Sequence, residues 1–473
     1  MDEIQHQASA SNARPKRTLT PFDRFSQKYL PALIGGAAMV FILMLVIGAI
    51  LYGFRYRTLV EQVRHDAAVA AKLEQERQSV EFEALSKRAA ELAIQYDYEG
   101  AITLLQSFTG DKKNFPTLDQ LIDSYRDKLE DFEQWTDFSA IPNLSFEILL
   151  LDAQRAFKNA KYGSSYKTNF ITTEEFKLIL EQLYKNGYIL IELDDLYEYK
   201  KTDSGVSYFV EKELLLPSGK KPLLLTQTQV NYNLYMVDSD GDMIADAGGS
   251  GFASKLIVDE NGNFANEYVD SEGETHYGAY DMVPILESFI ATHPDFSYRG
   301  ARAVIALTGY NGLFGYRTQA EAVQLLREDG HQQEVEKAKF IANALQEAGY
   351  KLACYTYENK DYTKFNATKI EADMSGWNAE VVPILGQLDT FVFAKNGDLA
   401  ASTAEYSSEG YQYLENAGFK FYLGYCKDGK PWVSVNDQYV RQGRIVVTAS
   451  NLKNKKSWFN GILDPSAVLI ESR

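Results

Sequence analysis

Cysteine is nearly absent from this chain, with two residues in 473. That excludes a disulfide-rich scaffold and a zinc site built from four thiolates. Histidine is almost as scarce, and His6, His65, His276, His293 and His331 are all there are. Little is therefore left for a metalloenzyme that depends on imidazole ligands. An excess of positive charge is also lacking. The 48 Lys and Arg against 65 Asp and Glu give a formal charge of −17, which argues against nucleic acid as a partner. The charge says nothing about fold. What is plentiful is core material. Apolar residues make up 45% of the chain, and Tyr (31) and Phe (26) are abundant. The length suits about two to three domains.

The first strong pattern is Leu30–Phe54, LPALIGGAAMVFILMLVIGAILYGF, 25 residues with no charged side chain. A helix needs about 20 such residues to cross a bilayer, so the run predicts a membrane span over 30–54. A cleaved signal peptide is the competing reading. The run is longer than a usual h-region, and no small-x-small site follows it cleanly. Arg14, Lys16, Arg17, Arg24 and Lys28 precede it. By the positive-inside rule, 1–29 is a cytoplasmic tail and everything after the span is exported at the cell membrane.

Residues 55–140 read as a helical stalk. Glu61–Ala93 carries no Gly or Pro and is rich in Ala, Glu, Leu and Lys. AAELAIQYDYEGAITLLQSF resembles one helical hairpin of the tetratricopeptide type, with no second copy. From Ile141 the grammar changes to alternating strands and helices. Strands are predicted at Leu144–Leu151, Tyr188–Leu193, Pro222–Thr226, Ala301–Thr308, Tyr350–Tyr357, Thr390–Phe393, Lys420–Cys426 and Ile445–Ala449. Helices fall between them, one opening on Thr172 and Glu175 at capping-box spacing. Asn261-Gly262 and Glu272-Gly273 signal hairpin turns. Repeated βα units mean a parallel sheet, and about seven strands favour a closed (β/α) barrel over 141–473.

Five blocks of this region are distinctive: in order, ITTEEFKLILEQLYKNGYILIELDDL, KPLLLTQTQVNYNLYM, GFASKLIVDENGNF, GAYDMVPILESFIATHPDFSYRGARAVIALTGYNGLFGYRT and GYKLACYTYEN. Together they resemble the polysaccharide deacetylase group (NodB-like, carbohydrate esterase family four), and more narrowly its long, membrane-anchored Firmicutes members. The resemblance implies the family's irregular barrel. It also implies a metal held by one Asp and two His, with a second Asp activating metal-bound water. In this chain Thr228 and Gln229 stand at the Asp-Asp position, and Tyr355 and Asn359 stand at the two His positions. Neutral amide, phenol and hydroxyl groups are poor transition-metal ligands and cannot act as the base. A fold kept while its catalytic residues are replaced is the expected outcome, with no cofactor required. Replacement carboxylates are Glu147, Glu358, Asp389 and Asp398, whose bland reading is solvated loop acids.

Two further constellations stand out. Asp238, Asp240, Asp242 and Asp246 alternate oxygen donors as calcium loops do, against an acidic surface loop as the plain reading. Tyr310, Asn311, Tyr316 and Arg317 follow a strand and suit a sugar-binding groove, against a Gly-rich turn with core tyrosines. Three functions follow. The leading one is a membrane-anchored, catalytically inactive, deacetylase-like protein that binds envelope glycan such as peptidoglycan, or a partner protein. The second is a deacetylase or hydrolase with a rebuilt site. The third is a structural envelope protein acting on protein partners through its stalk.

Overall fold

The computed structural model describes residues 20–470. The basic residues Arg14, Lys16 and Arg17, and most of the predicted tail, lie outside them. The chain divides into two compact units, Met1–Glu83 and Ala84–Arg473. Most of the first is a single helix, which runs through Pro21–Ile94. Its apolar part is unburied and long enough to cross a membrane or to serve as a signal sequence.

In the second unit the end of this helix is followed by a turn at Tyr96 (φ 65°) and by helices Tyr98–Gln106 and Thr117–Glu130. Asp97 caps the first of these by accepting from the Gly100 N–H at 3.0 Å. Arg299 ties this hairpin to the rest of the unit. Its N–H donates to the Gln95 carbonyl at 2.7 Å and its guanidinium pairs with Glu99 at 2.8 Å.

Seven parallel strands follow, named here β1 Asn143–Phe146, β2 Lys221–Thr228, β3 Val304–Leu307, β4 Lys351–Cys354, β5 Thr390–Val392, β6 Phe421–Tyr425 and β7 Val440–Val446. Each pairs with the next, and β7 pairs with β1, so the sheet closes into a barrel in strict chain order. Tyr188–Leu190 lies outside the closure, pairing with the start of β2 and bridging from Leu190 to Ser297. The last strand begins before its predicted start at Ile445. Its sequence, VRQGRIV, hides a period-two pattern behind two arginines and a glutamine.

Two apolar layers hold the barrel. The inner cluster gathers Leu224, Val304, Ala306, Ala353, Val392, Leu423 and Val440 from the strands, together with Phe138, Phe209, Leu214 and Leu216 from connecting segments. The outer cluster packs strand residues such as Leu225, Ile305 and Phe391 against helices such as Thr173–Lys185, whose Thr172/Glu175 capping box is formed. Alternate residues of a strand face opposite sides of a sheet. Inner positions therefore read Leu224, Thr226, Thr228 along β2 and Val440, Gln442, Arg444 along β7. The interior turns from apolar to polar toward the C-terminal ends of the strands. Midway, Thr226 Oγ1 donates to Asn143 Oδ1 at 2.8 Å, and Asn143 Nδ2 donates to Gln442 Oε1 at 3.3 Å. Cys354 and Cys426 are buried and unpaired.

Candidate functional site

The polar end of the barrel opens into a pocket of about 220 Å³. Residues just past the strand ends build it: Glu147 after β1, Gln229 after β2, Tyr355 and Asn359 after β4, and Lys395 and Asn396 after β5, with Arg444 of β7 reaching it from within. The four positions singled out in the sequence, Thr228, Gln229, Tyr355 and Asn359, all line this one cavity.

Hydrogen bonds hold all four, and one of them joins two of the four directly. Asn359 Nδ2 donates to Gln229 Oε1 at 2.8 Å, and the Gln229 amide hydrogen-bonds the Glu147 carboxyl. Thr228 Oγ1 donates to the Phe146 carbonyl at 3.2 Å, and the Lys395 N–H donates to the Tyr355 hydroxyl at 3.4 Å. Asn359 Oδ1 is buried without a protein partner. Burial pushes the Glu147 carboxyl up to about 7, opposed only by its bond to Gln229. It likewise raises the Tyr355 phenol.

The backbone here is strained. Gln229 (φ 60°), Thr356 (62°), Asn359 (53°), Lys395 (53°) and Asn396 (60°) are non-glycine residues in the left-handed region. Such conformations cost about 1–3 kcal/mol each, and they persist where the surroundings impose them. Asp373 imposes part of it. Its carboxylate accepts from the backbone N–H groups of Tyr357 (2.8 Å) and Glu358 (3.1 Å) and from the Tyr362 hydroxyl (2.8 Å). Asp281, fully buried, does the same on the β1–β2 side. It accepts from the N–H of Leu149 (2.9 Å), from Gln227 Nε2 (2.6 Å) and from the Tyr232 hydroxyl (2.7 Å), while burial holds it at about 6.

Among the four replacement carboxylates, only Glu147 enters the pocket. Glu358 points to solvent and pairs with Lys360 at 2.9 Å. Asp389 precedes β5 at the opposite end of the barrel and pairs with Lys351 at 3.2 Å. Asp398 lies behind the barrel wall, paired with buried Arg441 at 3.0 Å and accepting from the Tyr406 hydroxyl at 2.7 Å.

The second candidate groove divides in the same way. Tyr316 and Arg317 are buried, with Arg317 Nη1 donating to the carbonyls of Asn311 (2.9 Å) and Tyr232 (3.0 Å). Asn311 Oδ1 accepts from the Leu234 N–H at 3.1 Å, and only Tyr310, half-exposed, faces outward. In the acidic loop, the carboxylates of Asp238, Asp240 and Asp246 lie within 4.8 Å of one another, and Asp242 is not part of that group. Asp238 Oδ1 accepts from the Gly241 N–H at 2.7 Å and Asp246 Oδ2 from the Ser239 N–H at 2.8 Å, so these carboxylates also serve as turn caps.

Tested against a catalytic transition metal, the pocket fits poorly. Its oxygen donors are four carboxamides (Asn169, Gln229, Asn359, Asn396), three hydroxyls (Ser145, Thr228, Thr448), the Tyr355 phenol and the Glu147 carboxyl. Among the described residues, the only place where three His, Cys, Asp or Glu converge is the Asp238 loop. Sequence reasoning placed Lys395 and Asn396 only in the strand end Phe393–Gly397, where the resemblance loses its proline, and missed Arg444 and the supporting Asp373 and Asp281. Only Arg444 left a trace, as one step in the alternation Val440-x-Gln442-x-Arg444-x-Val446. Comparison with family models, with curated proteins and with solved structures finds no match to this chain.

Proposed function

We propose that this chain is a membrane-anchored, extracytoplasmic glycan-binding protein on a deacetylase-type barrel, in which the metal-dependent site has become a metal-free sugar pocket. One observation carries the reading. The four residues standing where a deacetylase would hold its metal and base line a single polar pocket, where an amide hydrogen bond joins Asn359 to Gln229. Side-chain amides and hydroxyls in a small cavity are the groups that fix sugar hydroxyls. The pocket lies at the C-terminal end of the barrel strands, where such folds carry function. The uncharged run Leu30–Phe54 and the basic residues before it support an anchor with the barrel outside the cell. External protease on intact cells should digest the barrel and spare the N-terminal tail, and protection until lysis would reverse the assigned orientation.

The test of the binding reading is direct. Purified full-length protein in detergent should hold no stoichiometric zinc, cobalt or manganese, and should release no acetate from acetylated chitooligomers. It should bind peptidoglycan or a related glycan. Binding should fall about tenfold in Asn359→Ala, the loss of one or two hydrogen bonds in an enclosed site. One metal per chain with chelator-sensitive acetate release would overturn the reading.

A rebuilt hydrolase is the second reading, and Glu147 favours it. A carboxyl held near 7 is suited to general acid or base work. Hydrolysis abolished by Glu147→Gln, in a protein that still binds glycan, would establish it.

A further inference from the structure

Two arginines of β7 are buried to the same degree and treated differently. Arg441 is matched by Asp398 at 3.0 Å. Arg444, 1% exposed and bordering the pocket, has only neutral partners. Its Nε–H goes to the Gly424 carbonyl (3.1 Å), one Nη1–H to Ser145 Oγ (2.8 Å) and one Nη2–H to the Phe393 carbonyl (2.9 Å). No carboxylate among the described residues pairs with it. A guanidinium carries five N–H donors. After these bonds each Nη keeps one N–H with no acceptor among the described residues. An uncompensated buried cation is costly, and burial lowers the pKa of Arg444. Lys395 adds a second positive charge at the pocket rim, in no ion pair among the described residues, on backbone held at φ 53°. In a chain of net charge −17, the mouth of the barrel thus sets two cations beside its one carboxyl, Glu147.

The pocket has a second unmet requirement. Asn359 Oδ1 is an acceptor lacking a donor. A bare oxyanion offers no donor, whereas a hydroxyl does. The cavity, at about 220 Å³, is smaller than the 300–1,000 Å³ typical of drug-sized ligands and suits a single ring. We propose that the pocket takes a carboxylate-bearing sugar, a uronic acid unit of an acidic polysaccharide, with its carboxylate at Arg444 and Lys395 and its hydroxyls on Asn359, Gln229 and Tyr355. This rests on the glycan-binding reading and narrows it.

The experiment titrates the full-length protein in detergent micelles with glucuronic acid, glucose, N-acetylglucosamine and inorganic phosphate, following heat or ligand-detected NMR. Glucuronate should bind at least about tenfold more tightly than glucose, as charge-assisted bonds require. That advantage should shrink with added salt. It should be lost in Arg444→Met and reduced in Lys395→Ala, a surface change that leaves the barrel folded. If glucose and glucuronate bind equally, the acidic specificity is wrong while the sugar site stands. Phosphate binding as tightly as glucuronate would mean a simple oxyanion site and overturn the proposal. Undiminished preference for glucuronate in Lys395→Ala and Arg444→Met would remove the carboxylate from this pocket. Failure of every sugar and of phosphate to bind would overturn both the inference and the glycan reading beneath it.

Discussion

The two ends of the barrel are built from the same seven strands and solve opposite problems. At the N-terminal end Phe138, Phe209, Leu214, Leu216 and Phe421 form an apolar plug, with the Phe209 and Phe421 rings 5.4 Å apart. Its rim is closed by charges that meet partners, as Lys351 pairs with Asp194 at 2.9 Å and Asp389 at 3.2 Å. Glu192, Asp194, Gln346, Lys351, Gln387 and Asp389, which border a second cavity there, all keep ordinary backbone conformations. The C-terminal end has an unpaired guanidinium and five strained non-glycine residues, against Arg299 (φ 52°) before β3 at the other end, while burial raises a carboxyl to about 7 at both, Glu147 here and Glu192 there. Each of these features costs stability. Stability alone gives no reason to keep them, and the proposed ligand pocket would account for them.

The sharpest way to break this comparison is Arg444→Met. If Arg444 is held for a ligand yet bonded to the barrel, its loss should strip donors from the Gly424 and Phe393 carbonyls and from Ser145. We expect destabilisation of about 3 kcal/mol by chemical denaturation, from orphaned buried acceptors that each cost about 1–3 kcal/mol before water enters the pocket. A neutral or stabilising result would show that the charge is a burden with no structural role.

Glu147 gives the next effect, and its sign can be worked out. Burial raises its pKa from 4.5 to about 7, so between those values the folded chain binds a proton that the unfolded chain releases. Stability from this group is complete below about 4.5 and declines as pH rises through 7. Glu147→Gln cannot ionise. It should be more stable than the parent by about 2 kcal/mol at pH 8, with the gap closing by pH 4.5; the full shift would give about 3 kcal/mol, but the pocket admits water. Melting curves of both proteins across this range would check it. A constant gap would mean that Glu147 is ionised throughout.

How much of this contrast the sequence carried depends on the type of signal. The barrel was legible because apolar runs such as Pro222–Thr226 and Ala301–Thr308 recur between amphipathic helices. Thr228, Gln229, Tyr355 and Asn359 were legible through the deacetylase resemblance, and the pocket they share is where strand order brings them. The plug was not legible. Phe209, Leu214 and Leu216 sit in short antiparallel strands whose role depends on closure of a barrel far away in sequence. Lys395 was hidden as well, because an exposed lysine in a loop reads as solvated surface until its φ is known. Asp389 and Asp398 misled for the same reason: being near a strand says nothing about which end, or which side of the wall, a side chain occupies.

Lys395 therefore tests the strain half of the comparison. Glycine adopts φ 53° without steric cost. Lys395→Gly should stabilise the barrel by about 0.5 kcal/mol, the left-handed strain relieved less the extra chain entropy. It should also weaken anionic-sugar binding. Stability and affinity moving in opposite directions, by denaturation and titration, would show that the strain serves the mouth. A loss of stability would mean that the lysine side chain holds the loop.

The smallest effect should come from the sealed end. Asp194 and Asp389 raise the pKa of Lys351 against the opposing effect of burial, but their own side chains are 57% and 42% exposed. Ion pairs with such partners contribute about 0–1 kcal/mol. The lysine stem also covers the Phe421 ring, with Nζ 4.9 Å from its centroid, and methionine would keep that contact. Lys351→Met should change the unfolding free energy by only about 0.3 kcal/mol and leave glycan affinity unchanged. Because Lys351 opens β4 while Tyr355 directly follows it, the variant also asks whether the ends communicate along a strand. A measurable loss of affinity would show that they do, and the division between a sealed end and a working end would then fail at β4.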